Sequence, residues 1–325
     1  MLIVTPNPAI DHTVRLGTLR PGEVIRTGPG ISVAGGKGGN VTRAAALLGT
    51  RATVLAFRPE TGGIHLEGLY AAEGFAFEAV PVAGRVRTCT ALIEAGGRVT
   101  LLNEPGAPVS QDDWARLMDA VRERASGQRL VLCSGSLPPG APADGYAQIA
   151  REVQEHGCEV IVDASREALV HAVRAGADLV CPNVSEAEAA IVGARSGEAA
   201  GPAGDGAAEP VHDGGADVPD RAAAAASGLV GLGATWAVVT AGAAGAAVAG
   251  PSHRAWLPSP AVAVRNPIGA GDSFLAGVAT ARLAGRDWPA AIRRGLAAGS
   301  ASVEQDGAGV VDPARVDELE RQIAR

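Results

Sequence analysis

Apolar residues run in short blocks along this chain, and most blocks are followed by a stretch in which they recur every three or four positions. The blocks include "MLIV", "ATVLAF", "RLVLCS", "CEVIVDAS", "ADLVCPN" and "TWAVVT". A helical pattern from Asn40 to Leu48 follows the first of them. Such alternation predicts a parallel sheet covered by helices on both faces, joined by right-handed crossovers. Ligands of such sheets gather at strand C-termini, and Ser134, Asn183 and Thr240 stand where a run ends. Helix starts are legible as well: Ser110 and Asp113 of "SQDD" have the spacing of a capping box before "WARLMDAV".

Two pieces break the alternation. Thr13 to Ser32 and Arg85 to Leu102 carry period-two patterns such as "RVRTCTALIE" and "GRVTLL" around the turn "AGG", which predict a small β-sheet outside the main domain. The main domain is then expected from residues 1–12, 33–84 and 103–325. Within it Ser196 to Asp220, rich in Gly, Ala, Pro and Asp without apolar period, is expected as a mobile surface insertion. Between Arg221 and His253 no charge interrupts the chain, but Gly228, Gly231 and Gly233 divide this stretch into a helix and the strand "TWAVVT". No membrane span is expected there.

Composition narrows the partners. A net charge of −7 over 325 residues argues against a broad nucleic-acid or anionic-membrane surface, so an anionic ligand must be met locally. Cys89, Cys133, Cys158 and Cys181 lie far apart without a C-x-x-C pair, which predicts buried free thiols and a cytoplasmic protein. Lys37 is the only lysine among 28 basic residues. Asparagine occurs five times, at Asn7, Asn40, Asn103, Asn183 and Asn266, each beside Gly or Pro or at a strand end. Turn preference accounts for part of that, but it leaves unexplained why Lys37 is not an arginine.

The candidate chemistry gathers at these rare residues. In "NPIGAGDSF", Asp272 follows three small residues at the start of an apolar helical pattern. It reads either as a helix N-cap or as a general base beside unpaired amides that suit a transferring phosphoryl group. "GGKGGN", Gly35 to Asn40, fails the P-loop spacing; it reads as a flexible turn or as a second anion site before a helix beginning at Asn40. "NVSE" sets Asn183 and Glu186 three apart, either as a capping box or as a pair that could hold water around Mg²⁺. "TAGAAGA", Thr240 to Ala246, fits a strand-turn-strand or a phosphate contact equally. Asp11 with Asn40 and Asn103 would suit sugar hydroxyls, or be a solvated loop carboxylate, and His12 has no evident partner. A G-x-S-x-G elbow and a histidine metal spacing are both missing from the sequence, so hydrolase chemistry has little support.

Taken in order, "NPAID", "GGKGGN", "LNEPG", "SGSLPPG", "PNVSE", "TAGAAGA" and "NPIGAGDSF" resemble the PfkB, or ribokinase-like, family of carbohydrate kinases over nearly the whole chain. "LNEPG" and "SGSLPPG" resemble its sugar-phosphate branch of 1-phosphofructokinases, tagatose-6-phosphate kinases and minor 6-phosphofructokinases. The resemblance implies a three-layer α/β domain with a β-sheet lid that commonly forms a homodimer interface. It also implies ATP and Mg²⁺ as cofactors and a ketohexose phosphate as acceptor, fructose 1-phosphate first, then tagatose 6-phosphate or fructose 6-phosphate. A non-catalytic sugar-phosphate or nucleotide sensor on the same fold is the rival. By similarity Asp272 is the base, and the amides of Gly269, Ala270 and Gly271 stabilise the transferring group. Asn183 and Glu186 organise Mg²⁺ through water, Thr240, Gly242 and Gly245 line the nucleotide, and Gly299 and Ser300 lie near adenine. Asp11, Gly36 and Asn40 hold sugar hydroxyls, while Arg87, Lys37 and Ser136 grip the substrate's own phosphate. The pattern departs at Cys181, where many members have Lys, and at Val86 and Ala91, where Thr and Lys are usual, leaving fewer donors for phosphate.

Overall fold

The computed structural model describes residues 1–196 and 217–323. Its first half runs β1 (Leu2–Val4), β2 (Ala9–Leu16), β3 (Ile31–Gly35), α1 (Gly36–Leu47), β4 (Thr53–Thr61), α2 (Gly63–Ala72), β5 (Ala76–Arg85), β6 (Arg87–Glu94), β7 (Val99–Asn103) and α3 (Gln111–Ala125). Then follow β8 (Leu130–Ser134), α4 (Gly145–Glu155), β9 (Glu159–Asp163), α5 (Arg166–Arg174), β10 (Leu179–Val180) and α6 (Val184–Ser196). The last part holds α7 (Val218–Leu232), β11 (Trp236–Thr240), β12 (Gly245–Gly250), β13 (His253–Pro258), α8 (Ala270–Leu283), α9 (Trp288–Ser302) and α10 (Pro313–Ile323).

Nine strands form the main sheet in the order β13-β12-β11-β10-β9-β8-β1-β4-β5. All neighbours from β11 to β5 are parallel; β12 and β13 add an antiparallel edge. Its central strands β1, β8, β10 and β11 are almost wholly apolar because both faces are covered, whereas β4, β5 and β13 carry charged residues. Leu2 and Val4 belong to one buried cluster, Ile3 to the cluster on the opposite face, as the alternation of side chains along a strand requires. The second sheet, in the order β3-β2-β6-β7, is antiparallel except for the parallel β2–β6 pair. Its strands span Ala9 to Asn103, starting before Thr13, and residues 17–30 contribute no strand to it.

The α3 capping box forms as expected: Ser110 N donates to Asp113 Oδ2 at 2.8 Å and Asp113 N donates to Ser110 Oγ at 3.1 Å. Two other expectations are corrected. Helix α1 begins at Gly36, four residues before Asn40, because Gly38 and Gly39 are closely packed helix residues, not a loose turn. A Cβ on either would collide with Thr5 or with the Ala34 carbonyl. The expected insertion 196–220 lies for residues 197–216 outside the described residues, while Val218, Pro219 and Asp220 open α7, Pro in a first helical turn being pre-set in φ. Among the described residues no helix is long and apolar enough to cross a membrane.

Candidate active site

A cleft of about 1140 Å³ opens between the small sheet and the C-terminal ends of the parallel strands. Asp11, Gly36, Lys37, Asn40, Arg87, Ser136, Glu186 and Asp272 all line it, so tertiary structure unites residues scattered over the chain. Asp272 sits buried in the first turn of α8. The helix is preceded by Gly269 in the left-handed region, φ 81°, where a Cβ would lie 2.9 Å from Gly309 N; only glycine fits there. Among the described residues no hydrogen bond engages the amides of Gly269, Gly271 or Asp272, and the helix dipole adds positive potential at that end. Asn40 Nδ2 donates to Asp272 Oδ2 at 2.9 Å. Burial pushes the Asp272 carboxyl up to about 7; Lys37 and the Asn40 bond pull it down, while Asp163 and Asp11 push it further up.

Lys37 Nζ donates to Asp163 Oδ2 at 2.8 Å, and Ser134 Oγ donates to the same oxygen at 3.1 Å. Burial acts against the lysine's charge, but Asp163, Asp272 and Glu186 together hold its pKa above the ordinary value. Lys37 and Arg87 therefore serve different acids: Lys37 faces this trio, whereas Arg87 acts on Asp11. Gly36 N donates to Asp11 Oδ1 at 3.1 Å; burial raises the Asp11 pKa, and Gly36, Arg87 and Arg43 oppose it. Arg87 Nη2 donates to Asn7 O at 2.9 Å and Asn7 Nδ2 to Ser136 Oγ at 3.0 Å. Among the described residues the buried Arg87 Nε has no partner. An orphaned guanidinium N–H beside a hydroxyl suits an anionic ligand.

The residues expected at the nucleotide divide. Asn183 and Glu186 cap α6 reciprocally, Asn183 N donating to Glu186 Oε2 at 3.0 Å and Glu186 N to Asn183 Oδ1 at 2.9 Å; Asn183 also bridges to Thr240. Gly242 is exposed with nothing near a virtual Cβ, whereas Gly245, φ 137°, closes the β11–β12 hairpin, where a Cβ would collide with the Leu257 carbonyl. Gly299 packs α9 on α8, a Cβ falling 3.1 Å from Ala270 O, and Ser300 is buried beside it. Of this group only Glu186 lines the cleft. Gly245→Ala is expected to cost about 2–4 kcal/mol of stability, read as a lower urea midpoint with unchanged slope.

Residues 5–315 match the pfkB family carbohydrate kinase pattern. The chain belongs to the pfkB family of carbohydrate kinases. It is 31% identical over 283 residues to a 1-phosphofructokinase of Xanthomonas campestris pv. campestris, covering 87% of this chain and 84% of that one. It is 31% identical over 308 residues to the ATP-dependent 6-phosphofructokinase isozyme 2 of Escherichia coli, covering 94% and 92%. Phosphofructokinase-2 from Escherichia coli superposes with a TM-score of 0.85 at 27% identity, covering 100% of this chain and 99% of that one.

Some features of this pfkB kinase escaped sequence reasoning. Asp163, the partner of Lys37, ends the apolar run of "CEVIVDAS", and a carboxylate at a strand C-terminus was the available signal. Cys89, expected buried, is half-buried and lines the cleft, because β6 crosses its roof. His12 pairs with Ser32 Oγ at 2.9 Å. Groups of three or more His, Cys, Asp or Glu able to enclose a metal are missing among the described residues. One cleft carboxylate, Glu186, fits an ion such as Mg²⁺ that keeps most of its waters.

Proposed function

We propose that this kinase transfers the γ-phosphoryl group of ATP to fructose 1-phosphate, giving fructose 1,6-bisphosphate and ADP. The observation that carries the reading is Asp272, buried at a helix N-terminus with free amides before it and a proton affinity near neutrality, which matches a general base working at physiological pH. Asp272 takes the proton of the acceptor hydroxyl as its oxygen bonds to phosphorus and the β–γ bridge breaks. The amides of Gly269 and Gly271 would face the charge that develops on the moving group, and that of Ala270, which donates to Pro267 O at 3.4 Å, would have to be shared with it. Mg²⁺, held through water by Glu186 beside Asn183, would neutralise the phosphate oxygens. Asp11, Gly36 and Asn40 would hold the sugar hydroxyls, and the Arg87–Asn7–Ser136 arm its existing phosphate. Thr240, Gly242, Gly245, Gly299 and Ser300 would border the nucleotide.

The relative from Xanthomonas campestris supports the 1-phosphate. Fructose 6-phosphate is the second reading, supported by the 31% identity to the Escherichia coli isozyme 2. In this reading the small sheet is a lid over the cleft, and its exposed Ile31, Leu101 and Leu102 support a homodimer through it. ADP release measured with fructose 1-phosphate, fructose 6-phosphate, tagatose 6-phosphate and fructose decides: the highest kcat/KM is expected for fructose 1-phosphate. Turnover of free fructose alone would remove the phosphate role of Arg87. No turnover with any would favour a sensor.

A further inference from the structure

Arg43 lies three residues beyond Asn40 on α1, buried, and every one of its five N–H donors has an acceptor. Nε and Nη2 hold the Glu73 carboxylate at the end of α2, the Nη2 bond at 2.6 Å. Nη2 also donates to Ala34 O on β3 at 2.9 Å. Nη1 donates to Ala308 O at 2.9 Å and to Asn40 Oδ1 at 3.0 Å. A guanidinium can only donate. The Asn40 oxygen must therefore face Arg43, and its Nδ2 is left to donate to Asp272 Oδ2. Without that constraint an amide can turn over and present its oxygen to the carboxylate.

We infer that Arg43 is a positioning residue for phosphoryl transfer: it locks the Asn40 amide so that Asp272 always receives a donor. The inference rests on Asp272 being the general base. Asp272 is faced by Lys37 and Asn40 from α1, by Asp163 from the end of β9 and by Asp11 from β2. Arg43 acts on it through Asn40; it also favours the charged form of Asp11, an effect whose loss would ease the ionisation of Asp272 and so works against the displacement expected below. Losing the Asn40 donor removes one influence that favours the carboxylate, Lys37 being another, so the base becomes harder to ionise.

The test is the pH profile of kcat/KM in Arg43→Met combined with Glu73→Gln, which removes both charges and strands neither. Its acid limb is expected to move up by about one pH unit, so the rate falls about tenfold at pH 6 and stays within about threefold of the parent at pH 9. The KM for ATP is expected to stay within about twofold. Placed on Asn40→Ala, the pair should displace the limb no further, because the path is already cut. A limb that does not move while the rate falls equally at every pH, or a displacement that adds in full on Asn40→Ala, overturns the inference. Arg43→Lys, which keeps a cation opposite Glu73 but cannot reach five acceptors, is the second variant should the pair not fold; an unmoved limb there overturns it too. Asp272→Asn separates the two claims. If that variant keeps its rate the base assignment fails, and if it is inactive while the Arg43 variants show the parent's limb, only the positioning role fails.

Discussion

Replacing Asp272 by Asn should silence phosphoryl transfer and at the same time make the protein harder to unfold. The first half follows from the loss of the proposed general base: a drop of about 10³-fold or more in kcat is expected, in line with general-base losses of about 10² to 10⁴. ATP affinity should stay within a few fold. The second half follows from linkage. The carboxyl is pushed from 3.8 up to about 7 by burial. Raised in this direction, it favours the folded state fully below the unfolded pKa, and that contribution is lost as pH climbs through the folded value. Above pH 7 the native protein holds a buried charge at a cost on the order of 4 kcal/mol, since the carboxyl is about three tenfold steps above 3.8 and each corresponds to about 1.4 kcal/mol. Asn cannot ionise and can still accept the Asn40 amide bond. Thermal unfolding of parent and variant should therefore nearly coincide at pH 4 and separate by several degrees at pH 8 with the variant higher. Equal separation at both pH values would mean that Asp272 does not titrate in this range, and a variant with normal turnover would end its role as base.

Lys37→Met should damage both rate and stability. In the native cleft the lysine is the cation among Asp163, Asp272 and Glu186. Its removal leaves Asp163, 7% exposed, without its ion pair. Breaking a fully buried pair costs about 3–5 kcal/mol, and the loss here is expected at about 1–3 because the Lys37 side chain is 42% exposed. The rate should fall about 10²-fold, with an acid limb displaced upward, since Lys37 also favours the ionised form of Asp272. Adding Asp163→Asn to Lys37→Met should return most of the stability, measured by urea unfolding, and none of the rate. Lys37→Arg should restore neither fully, because a planar fork cannot replace a point charge meeting one carboxylate oxygen also held by Ser134. A Lys37→Met enzyme within fivefold of the parent would show that the ammonium is structural only.

The alternation of apolar blocks with helical periods was enough to establish a helix-covered parallel sheet, since a strand buried on both faces has to be apolar throughout. Period-two patterning likewise exposed the small sheet as something apart, although its strands begin at Ala9, inside a motif that also carries Asp11. Asp272 was legible because "GAGDS" sets it after small residues at a helix start, of which Gly269 needs the left-handed backbone, and Lys37 because it alone is not arginine. What the sequence could not reveal is how these groups meet. Asn40 and Asp272 are 232 positions apart and Lys37 and Asp163 are 126 apart, and no local propensity encodes such a pairing. "NVSE" could be a cap or a metal contact, and only the fold made it a cap whose glutamate also lines the cleft. The glycines after Lys37 looked like a ligand cradle until packing against Thr5 and Ala34 explained them. Arg43 reads in the sequence as an ordinary helix residue. Its five acceptors come from the end of α2, β3, α1 and the loop after α9, and its hold on Asn40 exists only once tertiary structure gathers them around one buried guanidinium.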